Sequence, residues 1–326
     1  MKLSVIIPVF NCAPWLPECL DSVLAAGWTW SNAEPGRELE IFCVDDGSTD
    51  GSGAILDGYA SRFNAGQPFG ASDFLVLRRD NRGVSAARNA ALDRCTGDLV
   101  AFVDGDDAVS PEWFRSLAEA MMSSGSPVVR ARWSGEDVES VGDDVAGVCR
   151  YGYACVCLYR REAIGETRFV EGLGFAEDAL FNLALMARGL RFGSCSCDGY
   201  FYRQREGSAK RREVGGAEWL KFVRGCEAVM SRVPDGRLPE WVPPVSRMLF
   251  SHVGRWFAFG GERACESEMR ECLKRMIAAG RLSIGATKRK YRFPLRCYVA
   301  NGWRLPMQLL QLAIRVEQWR RKHMST

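Results

Sequence analysis

The chain has 326 residues, 47% hydrophobic and 25% charged, which is ordinary for a soluble globular protein with room for an ample core in one large domain or two. No run approaches ~18 uninterrupted apolar residues, which excludes a clear membrane span. The net charge of +3 is unevenly spread: residues 285–326 hold ten Lys/Arg against one acid, Glu317, so the first 284 residues are mildly acidic.

Residues 3–10 read as a strand entered at once, without the small-residue cleavage site of a secretory signal. Pro14 and Trp15 open a helix to about residue 26, with Leu16, Leu20, Val23 and Leu24 inward, and a polar loop is expected over 27–36. A strand at 40–44 ends in Asp45-Asp46-Gly47-Ser48-Thr49-Asp50, and a helix follows over 52–63. A third strand at 74–77 leads through Asn81-Arg82-Gly83 into a helix over 84–94. The fourth strand, 99–103, runs into Asp104-Gly105-Asp106-Asp107, and a helix follows over 111–123. Strands alternating with helices of this length imply βαβ units and a mostly parallel sheet. Beyond residue 126 the pattern is mixed. Strands are expected at 127–132 and 154–159 with an acidic loop over 134–147 between them, then a helix over 176–188 and a short strand at 199–203. After residue 215 the chain turns helical and richer in Trp and Arg, with Pro-rich breaks at 239–244. The expected domains are therefore 1–214 and 215–326.

Asp104, Asp106 and Asp107 put three carboxylates within four residues at the end of a buried strand. Such acids repel one another unless a cation sits among them. Hard oxygen ligands at this spacing suit Mg2+ or Mn2+, which also hold substrate phosphates. The alternative is a solvated turn capping the helix that starts at Ser110-Pro111. In a parallel sheet the loops after the second, third and fourth strands emerge on one edge. Acids, Arg82 and Arg88 would thus share a crevice suited to a nucleotide diphosphate. Each loop also has a plainer reading: Asp-Gly-Ser is common turn chemistry, and Arg88 can pair with a helix neighbour. Thirteen cysteines without a secretory signal read as reduced thiols of a cytosolic protein. Cys155-x-Cys157 and Cys195-x-Cys197 lack the usual zinc spacing, and i and i+2 share a strand face, which favours core positions.

Four stretches carry a resemblance. Ser4 to Asn11 (SVIIPVFN), Val44 to Asp50 (VDDGSTD), Asn81 to Asn89 (NRGVSAARN) and Asp104 to Asp107 (DGDD) resemble the successive signatures of the family 2 glycosyltransferases, in order and at suitable spacing. With Glu177-Asp178 the resemblance covers residues 1 to about 210. It implies an α/β, Rossmann-like GT-A fold with a C-terminal helical region, and inverting transfer of a sugar from a nucleotide-diphosphate donor, with UDP the favoured nucleotide. In that pattern Pro8, Val9 and Asn11 line the nucleotide cleft, and Asp46 with Asp45 contacts the base. Arg88 lies near base and diphosphate, Asp104 near the ribose. Asp106 holds Mn2+ or Mg2+, with Asp104 a second candidate ligand. Asp178 matches the family's catalytic base, since an in-line displacement needs a carboxylate opposite the leaving diphosphate. The plainer reading of Glu177-Asp178 is favourable acids in a helix's first turn. Glu177, Arg203 and Arg205 are candidates for acceptor or phosphate contact. Many relatives place a metal-binding His near here, but this chain has only His252 and His323, neither in register, so the third protein ligand has no counterpart.

In the C-terminal part, Leu305, Leu309, Leu312, Val316 and Trp319 recur on one helical face among basic residues, downstream of Lys288-Arg289-Lys290-Tyr291-Arg292. Such a segment either lies on an anionic membrane surface or packs on the catalytic domain. Nucleic acid is disfavoured, because no recognition motif accompanies the charge. The expected protein is a cytoplasmic enzyme, peripheral on the inner face of the cell membrane, that serves cell-surface polysaccharide or glycolipid assembly with a saccharide or lipid-linked acceptor. The alternatives are a metal-dependent nucleotidyltransferase and a retired, membrane-associated binding protein. Asp178 argues against the first and the intact acids against the second.

Overall fold

The structure is a computed structural model that describes residues 1–64, 73–132, 144–204, 215–258, 265–287, 289–302 and 307. The chain divides into two compact units, Met1–Lys210 and Arg211–Thr326.

The first unit is built on a seven-stranded sheet. Its opening half is regular: β1 (Lys2–Val9), α1 (Leu16–Ala33), β2 (Glu38–Asp45), α2 (Ser52–Asn64), β3 (Asp73–Arg78), α3 (Val84–Leu92) and β4 (Leu99–Phe102). Then come β5 (Ala108–Val109), α4 (Trp113–Ser124), β6 (Val128–Ala131), α5 (Val145–Tyr151), β7 (Cys157–Arg160), α6 (Arg161–Ile164), α7 (Glu177–Ala187), β8 (Phe192–Cys195) and β9 (Tyr200–Phe201). The strand order is β3-β2-β1-β4-β7-β6-β8. β1, β2, β3 and β4 are mutually parallel, β6 pairs parallel with β8, and only β7 runs against its neighbours. β5 and β9 form a separate antiparallel pair.

The order reverses between β1 and β4, and open α/β sheets bind ligands at the carboxyl ends of strands at such a switch. β1 and β4 are almost fully buried, as expected of strands covered on both faces. Pro8 donates no hydrogen bond, and it lies beyond Ile6, where the β4 ladder stops at Phe102. At the opposite edge, Glu40 accepts from Ser4 Oγ at 2.6 Å and Thr96 N–H at 2.7 Å and pairs with Lys2 at 2.6 Å. Burial pushes its carboxyl up, but these bonds outweigh burial and hold it down at about 2. That stability is present above the pKa of an unfolded Glu and is lost as pH falls toward 2.

Several expected elements differ in extent. α1 runs seven residues past the expected stop at residue 26. Gly27 does not end it. A Cβ there would lie 2.2 Å from Leu39 Cδ2, so the glycine lets the helix approach β2 closely. Beyond it Trp30 is fully buried, donates to Glu38 O at 3.0 Å and is covered by Arg37 at 4.3 Å. Residues 154–156 form a 3-10 turn before β7, and β8 and the short helices α5 and α6 had no clear sequence signal. Cys155, Cys157 and Cys195 are buried, while Cys197 is half-buried.

The second unit is helical: α8 (Gly216–Arg232), α9 (Leu238–Ala258), α10 (Glu266–Ala278) and α11 (Arg289–Asn301). Its core joins Trp219, Phe222 and Val223 of α8, Trp241 and Leu249 of α9, and Leu273 and Met276 of α10. The prolines expected to break the chain at 239–244 lie in the first two turns of α9, which continues through Pro243 and Pro244. The amphipathic segment 305–322 lies outside the described residues except for Met307, which is buried. Among the described residues no helix is long and apolar enough to cross a membrane.

Candidate active site

The loops that leave β1, β2, β3 and β4 meet at the carboxyl edge of the sheet. Register aligns Val9 with Asp45 and Asp45 with Arg78, so the three chains exit together. Asn11 adopts φ +49°, rare outside glycine but tolerated by Asn. Its N–H donates to Ser48 Oγ at 3.1 Å and its amide oxygen accepts from Thr49 N–H at 2.8 Å. This stitches the Pro8–Val9–Asn11 segment to the Asp-Gly-Ser-Thr turn. Asp45 accepts from Ser48 N–H at 2.9 Å, as in an Asx turn. Asp46 is buried, accepts from Gly83 N–H at 2.7 Å and from Arg82 N–H at 3.2 Å, and forms an ion pair with Arg79 at 3.1 Å. It therefore anchors the loop into α3, a role that spacing alone could not reveal.

The acidic turn after β4 is held against β1. A Cβ on Gly105 would lie 3.0 Å from Pro8 O and 3.1 Å from Cys12 Sγ, so glycine is the residue that fits between the two acids. Asp107 is buried. It accepts from Tyr200 O–H at 2.7 Å on one oxygen and from Arg203 N–H at 2.8 Å on the other. Burial and the neighbouring charge of Asp104 push its carboxyl up to about 8. Arg203 also donates from Nε to Asp106 O at 3.1 Å and pairs with Glu18 at 2.5 Å.

Arg88 joins the two halves of the site. It projects from α3 and is 2% exposed. One guanidinium nitrogen lies 2.8 Å from Asp104, and the other lies 2.6 Å from Asp178 and 3.5 Å from Glu177. Burial would favour loss of its charge, but the three carboxylates hold it protonated. Its guanidinium also lies 5.2 Å from the Phe169 ring centre. Phe169 in turn stacks on Phe181 at 4.1 Å.

Glu177 and Asp178 open α7, whose preceding residue, Ala176, has φ +54°. A left-handed alanine costs roughly 1–2 kcal/mol, and here it turns both acids toward Arg88. Asp178 Oδ2 accepts from Ala154 N–H at 3.0 Å. Burial raises the Asp178 carboxyl, and Arg88 opposes that only in part. Burial and the charge of Asp178 push Glu177 up to about 7.

The structure thus brings Asp104, Arg88, Glu177 and Asp178 into one cluster, with Asp106, Asp107 and Arg203 on the adjoining turn. Arg205 lies outside the described residues. The sequence named Asn89 but gave it no role. Its side-chain amide exchanges two hydrogen bonds with the Phe169 backbone, at 2.9 and 3.0 Å, and so ties α3 to the loop before α7. Glu171, which pairs with Arg82 at 2.8 Å, was unmarked, and Tyr200, in the strand expected at 199–203, was given no role. Their partners are about 90 residues distant, so no local pattern could find them.

The donor set fits a hard divalent cation. Asp104 is 31% exposed and Asp106 is half-buried, whereas both oxygens of Asp107 are taken up by protein. Among the described residues no group of three or more His, Cys, Asp or Glu side chains converges to hold an ion. A cation at Asp104 and Asp106 would complete its shell with phosphate and water, as Mg2+ and Mn2+ commonly do.

Known proteins resemble the chain in sequence and in fold. Residues 4–142 match the model described as glycosyl transferase family 2. That stretch of the chain, residues 4–142, is similar to the family. EpsJ of Bacillus subtilis, an uncharacterized glycosyltransferase, is 28% identical over 229 residues, 63% of this chain and 62% of its own length. TarS of Staphylococcus aureus, a poly(ribitol-phosphate) beta-N-acetylglucosaminyltransferase, is 27% identical over 64% of this chain and 36% of its own. The chain thus spans less than two thirds of either relative. The crystal structure of TarS 1–349 in complex with UDP-GlcNAc superposes over 97% of this chain and 92% of that one, at TM-score 0.70 and 21% identity. The mannosyltransferase PcManGT of Pyrobaculum calidifontis, in complex with GDP-Man and Mn2+, does so over 98% and 88%, at TM-score 0.55 and 18% identity. The fold is GT-A.

Proposed function

We propose that this protein is a glycosyltransferase that moves a sugar from a nucleotide-diphosphate donor, a UDP-sugar, to an acceptor hydroxyl with inversion, in the assembly of a cell-surface polysaccharide or glycolipid. The observation that carries the reading is Arg88, which spans from Asp104 on the acidic turn to Asp178 at the start of α7. One buried guanidinium fixes the separation between the donor side and the base.

Asp178 takes the proton of the acceptor hydroxyl as that oxygen bonds to the anomeric carbon and the sugar–diphosphate bond breaks on the opposite face. The bonds from Arg88 and Ala154 orient its carboxylate, one on each oxygen. Pro8, Val9 and Asn11 wall the nucleotide side, and Asp45 and Asp46 shape the base end. Asp104 and Asp106 would hold Mn2+ or Mg2+. That ion supplies, when bound, compensation for the negative charge that develops on the departing diphosphate. Arg203, and Arg205 beyond it, serve the phosphates or an acidic acceptor, while Glu177 borders the acceptor. The UDP-GlcNAc in the TarS complex and the Mn2+ in the PcManGT complex support the donor class and the ion.

Asp178→Asn keeps the shape of the side chain and removes the base. Transfer is expected to fall by about 10²–10⁴-fold, the usual contribution of a positioned general base, with donor affinity retained. If rates stay near wild type, or donor binding is lost together with transfer, Asp178 is not the base.

A further inference from the structure

We infer that Tyr200 is a positioning residue for the acidic turn, and that Asp107 is the turn's anchor rather than one of its ligands. The inference rests on the reading of Asp104 and Asp106 as the donor-binding acids. Tyr200 is 1% exposed and its ring packs against Trp113, with centroids 5.8 Å apart. Its hydroxyl lies between the two ends of the turn. It accepts from Asp104 N–H at 3.2 Å and donates to Asp107 Oδ2 at 2.7 Å. A single oxygen atom therefore closes residues 104–107 from behind.

The rest of the segment reinforces the clamp. β9 pairs with β5, Ala108 with Phe201 and Val109 with Tyr200. Ser110 N–H donates to Gly199 O at 2.7 Å. Gly199 lies so close to Ser110 that a Cβ would meet its Oγ at 2.1 Å. Beyond the strand, Arg203 bonds the second oxygen of Asp107 through its N–H and the Asp106 carbonyl through Nε. Asp107 thus spends both carboxylate oxygens on segment 200–203. Asp104 has its backbone fixed by Tyr200 and one carboxylate oxygen on Arg88. Ligand carboxylates hold an ion and a phosphate together only when their backbone is fixed to within about 0.5 Å, and groups behind the ligands set that.

The test is Tyr200→Phe, which removes one oxygen atom and keeps the buried ring. UDP affinity is measured with and without Mn2+ by calorimetry, beside the melting temperature of the unliganded protein and the donor KM and kcat. Mn2+-dependent UDP affinity is expected to weaken about 10–100-fold, the range typical of groups that orient metal ligands. Metal-free UDP affinity is expected to be unchanged, and the donor KM to rise with kcat at saturation kept within a few fold. Gly199→Ala, which pushes the same segment off Ser110 and leaves every carboxylate in place, should weaken Mn2+-dependent binding in the same sense. A lowered melting temperature with unaltered Mn2+-dependent affinity in Tyr200→Phe would mean a merely structural tyrosine and overturn the inference alone. Absence of Mn2+-dependent UDP binding in the wild-type protein would overturn the donor reading, and the inference with it.

Discussion

Arg88 is a buried cation with three acids, and its surroundings set how the site answers to pH. Glu177, pushed up to about 7, and Asp178, also raised, are close enough to titrate as a pair. Only the ionised form can accept a proton, so transfer should begin to fall at a higher pH than an unperturbed Asp would allow. An unperturbed carboxylate would keep activity down to about 4. Glu177→Gln removes a like charge from beside Asp178 and should move the acid limb of kcat/KM to lower pH. A wild-type limb near 4, or a limb that moves upward in Glu177→Gln, would contradict this picture of the pair. The residues themselves stood out in the sequence because their types are uncommon beside apolar runs. Their partners did not. Asp46 stood out as an acid after a strand, but nothing local showed that its oxygens accept from Arg82 and Gly83 of another loop and pair with Arg79 there.

At the scale of elements, the βαβ half was readable because each strand is a short apolar run closed by Gly, Asp or Asn, and each helix carries a 3–4 periodicity. β1, β2, β3 and β4 fall within two residues of expectation at either end. Failures came where tertiary packing overrode a local signal. Gly27 read as a stop and proved to be a contact with Leu39, which lets α1 bury Trp30. Pro243 and Pro244 read as a break, yet they lie inside α9, a helix held by burial of Trp241, Val245 and Leu249. β8 is too short and too poor in apolar residues to mark itself, whereas β9 falls inside the strand expected at 199–203. β8 contains Gly193 and Ser194, and it exists because β6 offers a parallel edge. The left-handed Ala176 had no sequence signal at all, although it aims the α7 acids.

Over the whole chain, charge separates along the sequence, with an acidic first unit and a basic end. Arg292 and Arg296 of α11 are exposed, and most of the remaining basic residues lie beyond it. An anionic surface suits such a tail, and lipid-linked acceptors would be met there. Deletion of residues 303–326 is expected to lower binding to vesicles containing anionic lipid while donor affinity is kept. Equal vesicle binding by the shortened protein would remove the tail from the account. The central claim, a nucleotide-sugar site built around Asp104, Asp106 and Arg88, has a more direct test. Melting temperature is measured against a panel of nucleotide diphosphates and their sugars, with and without Mn2+. Ligands that bind the native state raise it by mass action, by ~2.7 kcal/mol of stability at a hundred times Kd. The account predicts a Mn2+-dependent rise with UDP and with one UDP-sugar, abolished by Asp106→Ala. No rise with any nucleotide, or a rise that Asp106→Ala leaves intact, would contradict it.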